Sequence, residues 1–327
     1  MRRRDALAAI AALGLPVRAA AGAEFADETW TDPFRRRDIP VRLRWPAGED
    51  ACGLVIHSHG LGGSRSGGAV WGEAWQAGGL AVLHLQHPGS DSGVWQSGGL
   101  RGARRAASAE QYLARIADAR FVLDEIERRR GTGGSWARVR PEAIGFSGHS
   151  FGARLTQALA GERPARARRA ERVGEVADPR IRAFIAFSSG FNERDGLDDA
   201  TLARRFGAIT RPFLAMTGSD DEAMLVGDAS NAARRAVYRG LPPGQKAQLV
   251  LDGADHATFG GGTGLAWAEG RSGRRGERAV ALEAQHRRVI AAISVDWWRW
   301  RLLGDAAAQA RLRAPADLAA ADLWEQG

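Results

Sequence analysis

One thirteen-residue stretch constrains this chain more than any other. Ala143-Ile-Gly-Phe-Ser-Gly-His-Ser-Phe-Gly-Ala-Arg-Leu155 runs from an apolar segment, through a serine with a glycine two positions to either side, into a segment that reads as a helix. A turn that abrupt holds the serine backbone in a strained conformation. Gly148 and Gly152 leave room where a Cβ would collide with the neighbouring strand and helix. The hydroxyl of Ser150 is thereby pushed out to where a reactant can reach it. With 42 glycines in 327 residues the spacing can also arise by chance, so the rest of the chain must supply what such a serine needs.

The flanking sequence supplies a frame. Alternating Ile39, Val41, Leu43 and Trp45 predict an exposed or edge strand, and Cys52–His57 and Leu80–Leu85 predict buried ones. A weak helix is expected over residues 66–79, and a strong one over 108–130 with Gly131 as its stop. Residues 89–106, rich in Gly, Ser and Arg, read as a long loop over the sheet. The helix after Ser150 should reach about Ala160, before a basic excursion over 161–179. Further strands are expected at 181–188, 212–217 and 247–251, the latter the last. Helices are expected at 229–239 and 281–303, and a short one within a small lid at 189–210. Strands alternating with helices give a parallel sheet covered on both faces, and ligands of such sheets sit outside the carboxyl ends of the strands.

Composition removes several function classes. A 44% hydrophobic content over 327 residues supports one large α/β domain with a sizeable core. Cys52 is the only cysteine, so neither an intrachain disulfide nor a C-x-x-C site exists. The charge of +8 is nearly all arginine, Lys246 being the one lysine, and it is mixed with acids in stretches such as Asp124–Arg130. That pattern describes solvated helix faces, with no nucleic-acid recognition motif beside it. Met1-Arg-Arg-Arg-Asp5, the apolar run to Val17 and Ala19–Ala23 form an export signal of twin-arginine type over residues 1–23. Its apolar core is too short for a stable membrane anchor. Cleavage after Ala23 would lower the charge to +5 and leave residues 24–327 as one domain, expected to be periplasmic or secreted.

A serine hydroxyl needs a base, and the base needs an acid that fixes its tautomer. His256, just past the expected last strand in Gly253-Ala-Asp-His-Ala257, is the candidate base. For the acid, Gly218-Ser-Asp-Asp221 offers Asp220 and Asp221, with spacing in favour of Asp221 and the other free to cap the following helix; Asp255 is a third contender. Oxyanion donors are expected from the Phe151 N–H and from the glycine-rich loop His59-Gly-Leu-Gly-Gly63, with Leu61 the candidate there. Val94 and Trp95 are expected near the substrate; His149, inside the serine turn, is expected to pack and orient that turn and to line the substrate site with Trp95. His57, His59, His84 and His87 lack the carboxylate or cysteine pattern of a metal site.

Through Ser58-His-Gly-Leu-Gly-Gly-Ser64, His87-Pro-Gly-Ser-Asp91, Gly148-His-Ser-Phe-Gly152 and Asp252-Gly-Ala-Asp-His256, residues 38–300 resemble α/β-hydrolases of the dienelactone hydrolase-like and platelet-activating-factor acetylhydrolase-like group. The resemblance implies an α/β-hydrolase fold, with a mostly parallel sheet, helices on both faces and small lid-like insertions. It also implies a cofactor-free, metal-free serine hydrolase with Ser150, His256 and Asp221 as triad, acting on a small-molecule or lipid-like ester. Dienelactone hydrolases proper use a cysteine nucleophile where this chain has Ser150, and Gly260–Arg278 is an added segment after His256. Lipase, thioesterase, amidase or polyester chemistry are alternatives on the same site, and a non-catalytic binding protein is the alternative of another class. The expected leader predicts that exported protein, sequenced from its N-terminus, begins at Glu24, and that Arg3→Lys with Arg4→Lys leaves full-length precursor inside the cell.

Overall fold

The computed structural model describes residues 24–94, 101–102, 105–163, 176–222, 230–261 and 275–327. The leader expected at 1–23, Trp95, much of the 161–179 excursion and most of the Gly260–Arg278 segment lie outside them. The continuous apolar runs become inner strands because a strand covered on both faces has no polar side to show. All seven residues of β3 (Cys52–Ser58) and all five of β4 (Ala81–Leu85) are buried. With β5 (Val139–His149), β6 (Ile181–Phe187), β7 (Phe213–Asp220) and β8 (Lys246–Asp255) they form six parallel strands in the order β4-β3-β5-β6-β7-β8.

The sheet is wider than the sequence pattern predicts. β1 (Ala26–Asp32) pairs antiparallel with β2 (Arg37–Arg44), and β2 pairs antiparallel with β4. β2 is therefore flanked on both sides and is not an edge; Ile39, Val41 and Leu43 are all buried. β1 escapes notice because three of its seven residues are acids and only Trp30 and Asp32 are buried. β8 is likewise not last: β9 (Leu323–Gln326), four residues long, adds antiparallel to it. Within 89–106, where a loop was expected, the described Gly93, Val94, Arg101, Gly102, Arg105 and Ala106 are helical.

Successive residues of a strand face opposite ways, so Val55 and its neighbours Leu54 and Ile56 enter different cores. On one side lie α2 (Ala109–Arg130), α3 (Phe151–Ala160), α4 (Asp199–Phe206) and α5 (Asn231–Gly240). α2 starts where Ser108 accepts a hydrogen bond from the Gln111 N–H, the arrangement that satisfies a free helix amide. On the other side lie α1 (Ala69–Ala77) and α8 (Glu283–Leu303), the latter preceded by the short α6 (His256–Phe259) and α7 (Glu277–Ala281) and followed by α9 (Ala306–Arg313). α4, in the stretch expected to form a small lid, sinks Leu202 and Phe206 into the core, where Phe206 meets Gly240 of α5. Among the described residues no helix is long and apolar enough to cross a membrane.

The second core is built on tryptophan. Trp75 and Trp298 meet edge to face at 6.0 Å, and the Trp75 N–H donates to Ser294 Oγ at 2.9 Å. Trp298 lies so close on β5 that a Cβ at Gly145 would come within 2.7 Å of its ring. Trp298→Ala is expected to lower the unfolding free energy by about 3–5 kcal/mol, measured in urea, and to cost more than Trp300→Ala, whose ring is only half-buried.

Candidate active site

Parallel strands deliver their carboxyl ends to one edge of the sheet, and Ser150, Asp221, His256 and the glycine-rich loop each follow one of those ends. Ser150 joins β5 to α3 with φ 55° and ψ −109°, a backbone few side chains adopt, and its N–H is held by the Phe187 carbonyl of β6 at 3.0 Å. A Cβ on Gly148 would meet Gly152 at 2.3 Å, and one on Gly152 would meet the Ser58 carbonyl at 2.1 Å. The start of α3 thus lies backbone to backbone on the end of β3. Both glycines are needed for that contact, as the sequence predicts.

Asp221 follows β7 and is fully buried, and its Oδ1 lies 2.8 Å from His256 Nδ1. Thr217 donates to Oδ2 at 2.9 Å. Burial works to raise the Asp221 pKa, but the Arg234 charge and the contact with His256 outweigh it and hold the carboxyl well below the usual carboxylate range. Of the contending acids, Asp220 is exposed and accepts from Ser219 Oγ at 2.7 Å. It does not cap the next helix; Ser230 does. Asp255 caps α6 by accepting from the Thr258 N–H and pairs with Arg275 at 2.9 Å.

His149 stands between the serine turn and His256. Its ring centroid is 4.6 Å from that of His256, and its Nε2 lies 3.0 Å from the His256 carbonyl. Desolvation, reinforced by the neighbouring imidazole, pushes His149 down to about 3, so it is neutral at neutral pH and its Nε2–H donates to that carbonyl. This half-buried ring thus bonds the serine turn to the residue that carries the candidate base. Ser150 is also half-buried, and among the described residues its hydroxyl makes no hydrogen bond.

The glycine-rich loop after β3 borders the serine. A Cβ on Gly60 would stand 3.4 Å from Ser150 Cβ and 3.0 Å from the His149 ring. Leu61 is half-buried and Phe151 buried, and neither backbone N–H donates to another described backbone carbonyl. Of the residues expected near a substrate, Val94 is buried and Trp95 lies outside the described residues. The four histidines of this region form two separate pairs, His57 with His84 at 5.3 Å and His59 with His87 at 5.5 Å. His57 Nδ1 meets Ser147 Oγ and His84 Nδ1 meets the Gly67 carbonyl. Among the described residues no group of three or more potential ligands is placed to hold a metal.

Two buried arginines are absent from the sequence expectations. Arg234 of α5 sets Nε 3.0 Å from Asp221 Oδ1 and Nη2 3.2 Å from His256 Nδ1, and its Nη1 donates to the Ser188 and Ser189 carbonyls at 2.6 and 3.2 Å. Arg115 of α2 is fully buried beneath the glycine-rich loop. Their signal was readable: each falls on the apolar stripe of its helix, beside Ala233 and Val237 in one case and Ile116 and Ala119 in the other. A charge there is buried, and buried charges need partners.

No protein-family model matches the sequence, and no curated protein matches it. Solved structures do match. The chain is similar to 2,6-dihydroxy-pseudo-oxynicotine hydrolase at 17% identity, over 87% of this chain and 70% of that one, with a TM-score of 0.51. A serine hydrolase homologue from Coxiella burnetii is 16% identical over 80% of this chain and 96% of that one, with a TM-score of 0.49. A cold-adapted esterase from an Arctic intertidal metagenomic library is 18% identical over 75% and 91%, with a TM-score of 0.47. The first of these likenesses, together with the sheet order, shows that the chain has the α/β-hydrolase fold. Gly152→Ala is expected to lower the unfolding free energy by about 2–3 kcal/mol in urea, because its Cβ meets backbone rather than a movable side chain.

Proposed function

We propose that the chain is a serine hydrolase of carboxylic esters. The observation that carries this reading is the 2.8 Å contact between His256 Nδ1 and the buried Asp221 carboxylate, on the strand edge that also presents Ser150 on its strained turn. An ionised carboxylate can only accept, so Nδ1 keeps its proton and donates it in a hydrogen bond to Asp221, which leaves the lone pair on Nε2, the nitrogen a general base must use. In the proposed reaction Ser150 Oγ attacks the acyl carbon while His256 Nε2 takes the hydroxyl proton. The negative oxygen that forms is met by the Leu61 and Phe151 N–H groups, dipoles fixed in place before the charge appears. His256 returns its proton to the departing alkoxide, leaving an acyl-enzyme. A water, deprotonated by the same imidazole, then releases the acid and restores Ser150.

Arg234 supports the same geometry from the far side. By bonding Asp221 and the Ser188 and Ser189 carbonyls together, it ties the ends of β6 and β7 and fixes the direction from which the carboxylate reaches His256. The hydrolase matched above at a TM-score of 0.51 has the fold on which this chemistry is proposed. The leader expected over residues 1–23 would carry the activity to the periplasm or the medium.

Ser150→Ala is expected to abolish both p-nitrophenyl acetate hydrolysis and labelling by a fluorophosphonate; full activity in that variant would end the assignment. Asp221→Asn should lower kcat by about 10⁴-fold, whereas Asp220→Asn should stay within about twofold of the parent. A panel of esters, thioesters and amides at equal concentration separates ester hydrolysis from its sister acyl-transfer reactions. Absence of labelling in the parent protein would favour a binding role.

A further inference from the structure

A second serine, histidine and aspartate lie in line below the first set. Ser58 Oγ is 3.0 Å from His87 Nε2, and His87 Nδ1 is 3.0 Å from Asp118 Oδ2. All three residues are fully buried, so no substrate reaches Ser58. Burial, with the nearby Arg115 charge, pushes His87 down to about 4. It is therefore neutral at neutral pH, donating from Nδ1 to Asp118 and accepting the Ser58 hydroxyl at Nε2. Asp118 is further held by Arg35 at 2.7 Å and Arg37 at 2.8 Å. This array has the form of a triad and the surroundings of a structural brace.

Arg115 is braced by the array and reaches up from it. Its Nε donates to Ser90 Oγ at 2.8 Å, and its Nη1 donates to the His59 carbonyl at 2.7 Å and lies 3.4 Å from Ser58 Oγ. Its Nη2 reaches the Gly60 and Ser90 carbonyls, each at 3.3 Å. The guanidinium also stacks on the Phe151 ring at 4.5 Å. Burial lowers Arg115 to about 9, which leaves it charged at neutral pH. One side chain therefore contacts the glycine-rich loop, the loop after β4 and the residue that follows Ser150.

The direction of the Gly60 carbonyl decides where the next N–H points. Three donors converge on that oxygen: Arg115 Nη2, the Gly63 N–H at 3.2 Å and His59 Nδ1 at 2.5 Å. His59 can donate from Nδ1 because its Nε2 is occupied, accepting the His87 N–H at 3.1 Å. Among the described residues no peptide is cis, so the Leu61 N–H lies antiparallel to the Gly60 carbonyl. Donors gathered on the buried side of the loop thus send that N–H to the opposite side, where Gly60 borders Ser150. A cation on the carbonyl also polarises the peptide and makes its N–H a stronger donor.

We propose that Arg115 is a positioning residue for the oxyanion site: by drawing the His59 and Gly60 carbonyls into the buried layer it aims the Leu61 N–H at the oxygen of the tetrahedral intermediate. The proposal rests on the serine-hydrolase reading above. It assigns the Ser58, His87 and Asp118 array to holding Arg115 and His59 in place, with no proton transfer of its own.

The test compares parent and Arg115→Met protein on p-nitrophenyl acetate, with active sites counted by fluorophosphonate titration. A trifluoromethyl ketone, which binds serine as a tetrahedral oxyanion, serves as the transition-state probe. The expected result is a kcat per titrated site lower by about 30- to 300-fold with KM within about threefold. The inhibition constant of the ketone should rise in proportion to the loss in kcat/KM. A role in folding alone would reduce the number of titrated sites while leaving kcat per site and ketone affinity unchanged, and that outcome overturns the proposal. So does a rise in KM with kcat held. If Arg115→Met does not fold, Arg115→Lys, which keeps the buried charge but reaches fewer carbonyls, is judged by the same pattern. Failure of the parent protein to label at Ser150 would instead overturn the serine-hydrolase reading itself, and is told apart by needing no variant.

Discussion

The structure depends on a backbone contact with no side chain in it. α3 begins so close to the end of β3 that even a methyl group at Gly152 would stand 2.1 Å from the Ser58 carbonyl. Because of that approach the turn at Ser150 has no room for a relaxed conformation, and the residue is held at φ 55°. The same approach brings the glycine-rich loop, which leaves β3 at Ser58, so near the serine that a Cβ at Gly60 would stand 3.4 Å from Ser150 Cβ. Strain of this kind persists only where the surroundings over-determine it. Here the hydrogen bond from the Ser150 N–H to Phe187 and the tryptophan core under β5 do so.

Around this contact the protein buries charge rather than excluding it. Arg234 pairs with Asp221 beside His256, while Arg115 sits below the loop among carbonyls, with Asp118, Arg35 and Arg37 in the layer beneath. Buried ions are costly unless each is paired and its remaining hydrogen-bonding capacity is used. Both arginines use theirs on backbone carbonyls at strand ends, where no secondary-structure partner is available. Such bonds fix loops more firmly than apolar contact can, because they specify direction as well as distance. The cost of burying the charges is met with rigidity at the one edge of the sheet where loops must hold a shape.

Much of this was legible in the residues. Apolar runs at 52–58, 81–85, 181–187 and 213–218 are too continuous for strands with a wet face, so a covered parallel sheet follows from them. Ser108 and Gly131 mark the ends of α2 in the sequence and in the fold. The spacing of Asp221 from Gly218 also pointed to the acid that meets His256. The strands that were missed are those whose pattern is weak by necessity. β1 is an acidic edge strand half-open to solvent, β9 has four residues, and β2 shows an alternation that an edge strand and a penultimate one share.

The sequence by itself determined the layered α/β architecture, the strained serine turn and the order of Ser150, Asp221 and His256, because apolar periodicity, glycine sterics and chain order are local properties. Tertiary structure alone decided what stands behind them. That Arg234 shares Asp221 with His256, that Arg115 gathers the carbonyls of His59 and Gly60, and that Ser58, His87 and Asp118 line up are matters of distance between residues far apart in the chain, 13 positions for Arg234 and Asp221 and more for the rest. A hydrogen bond is set by ångströms and angles, and those are fixed only once helix and sheet have packed.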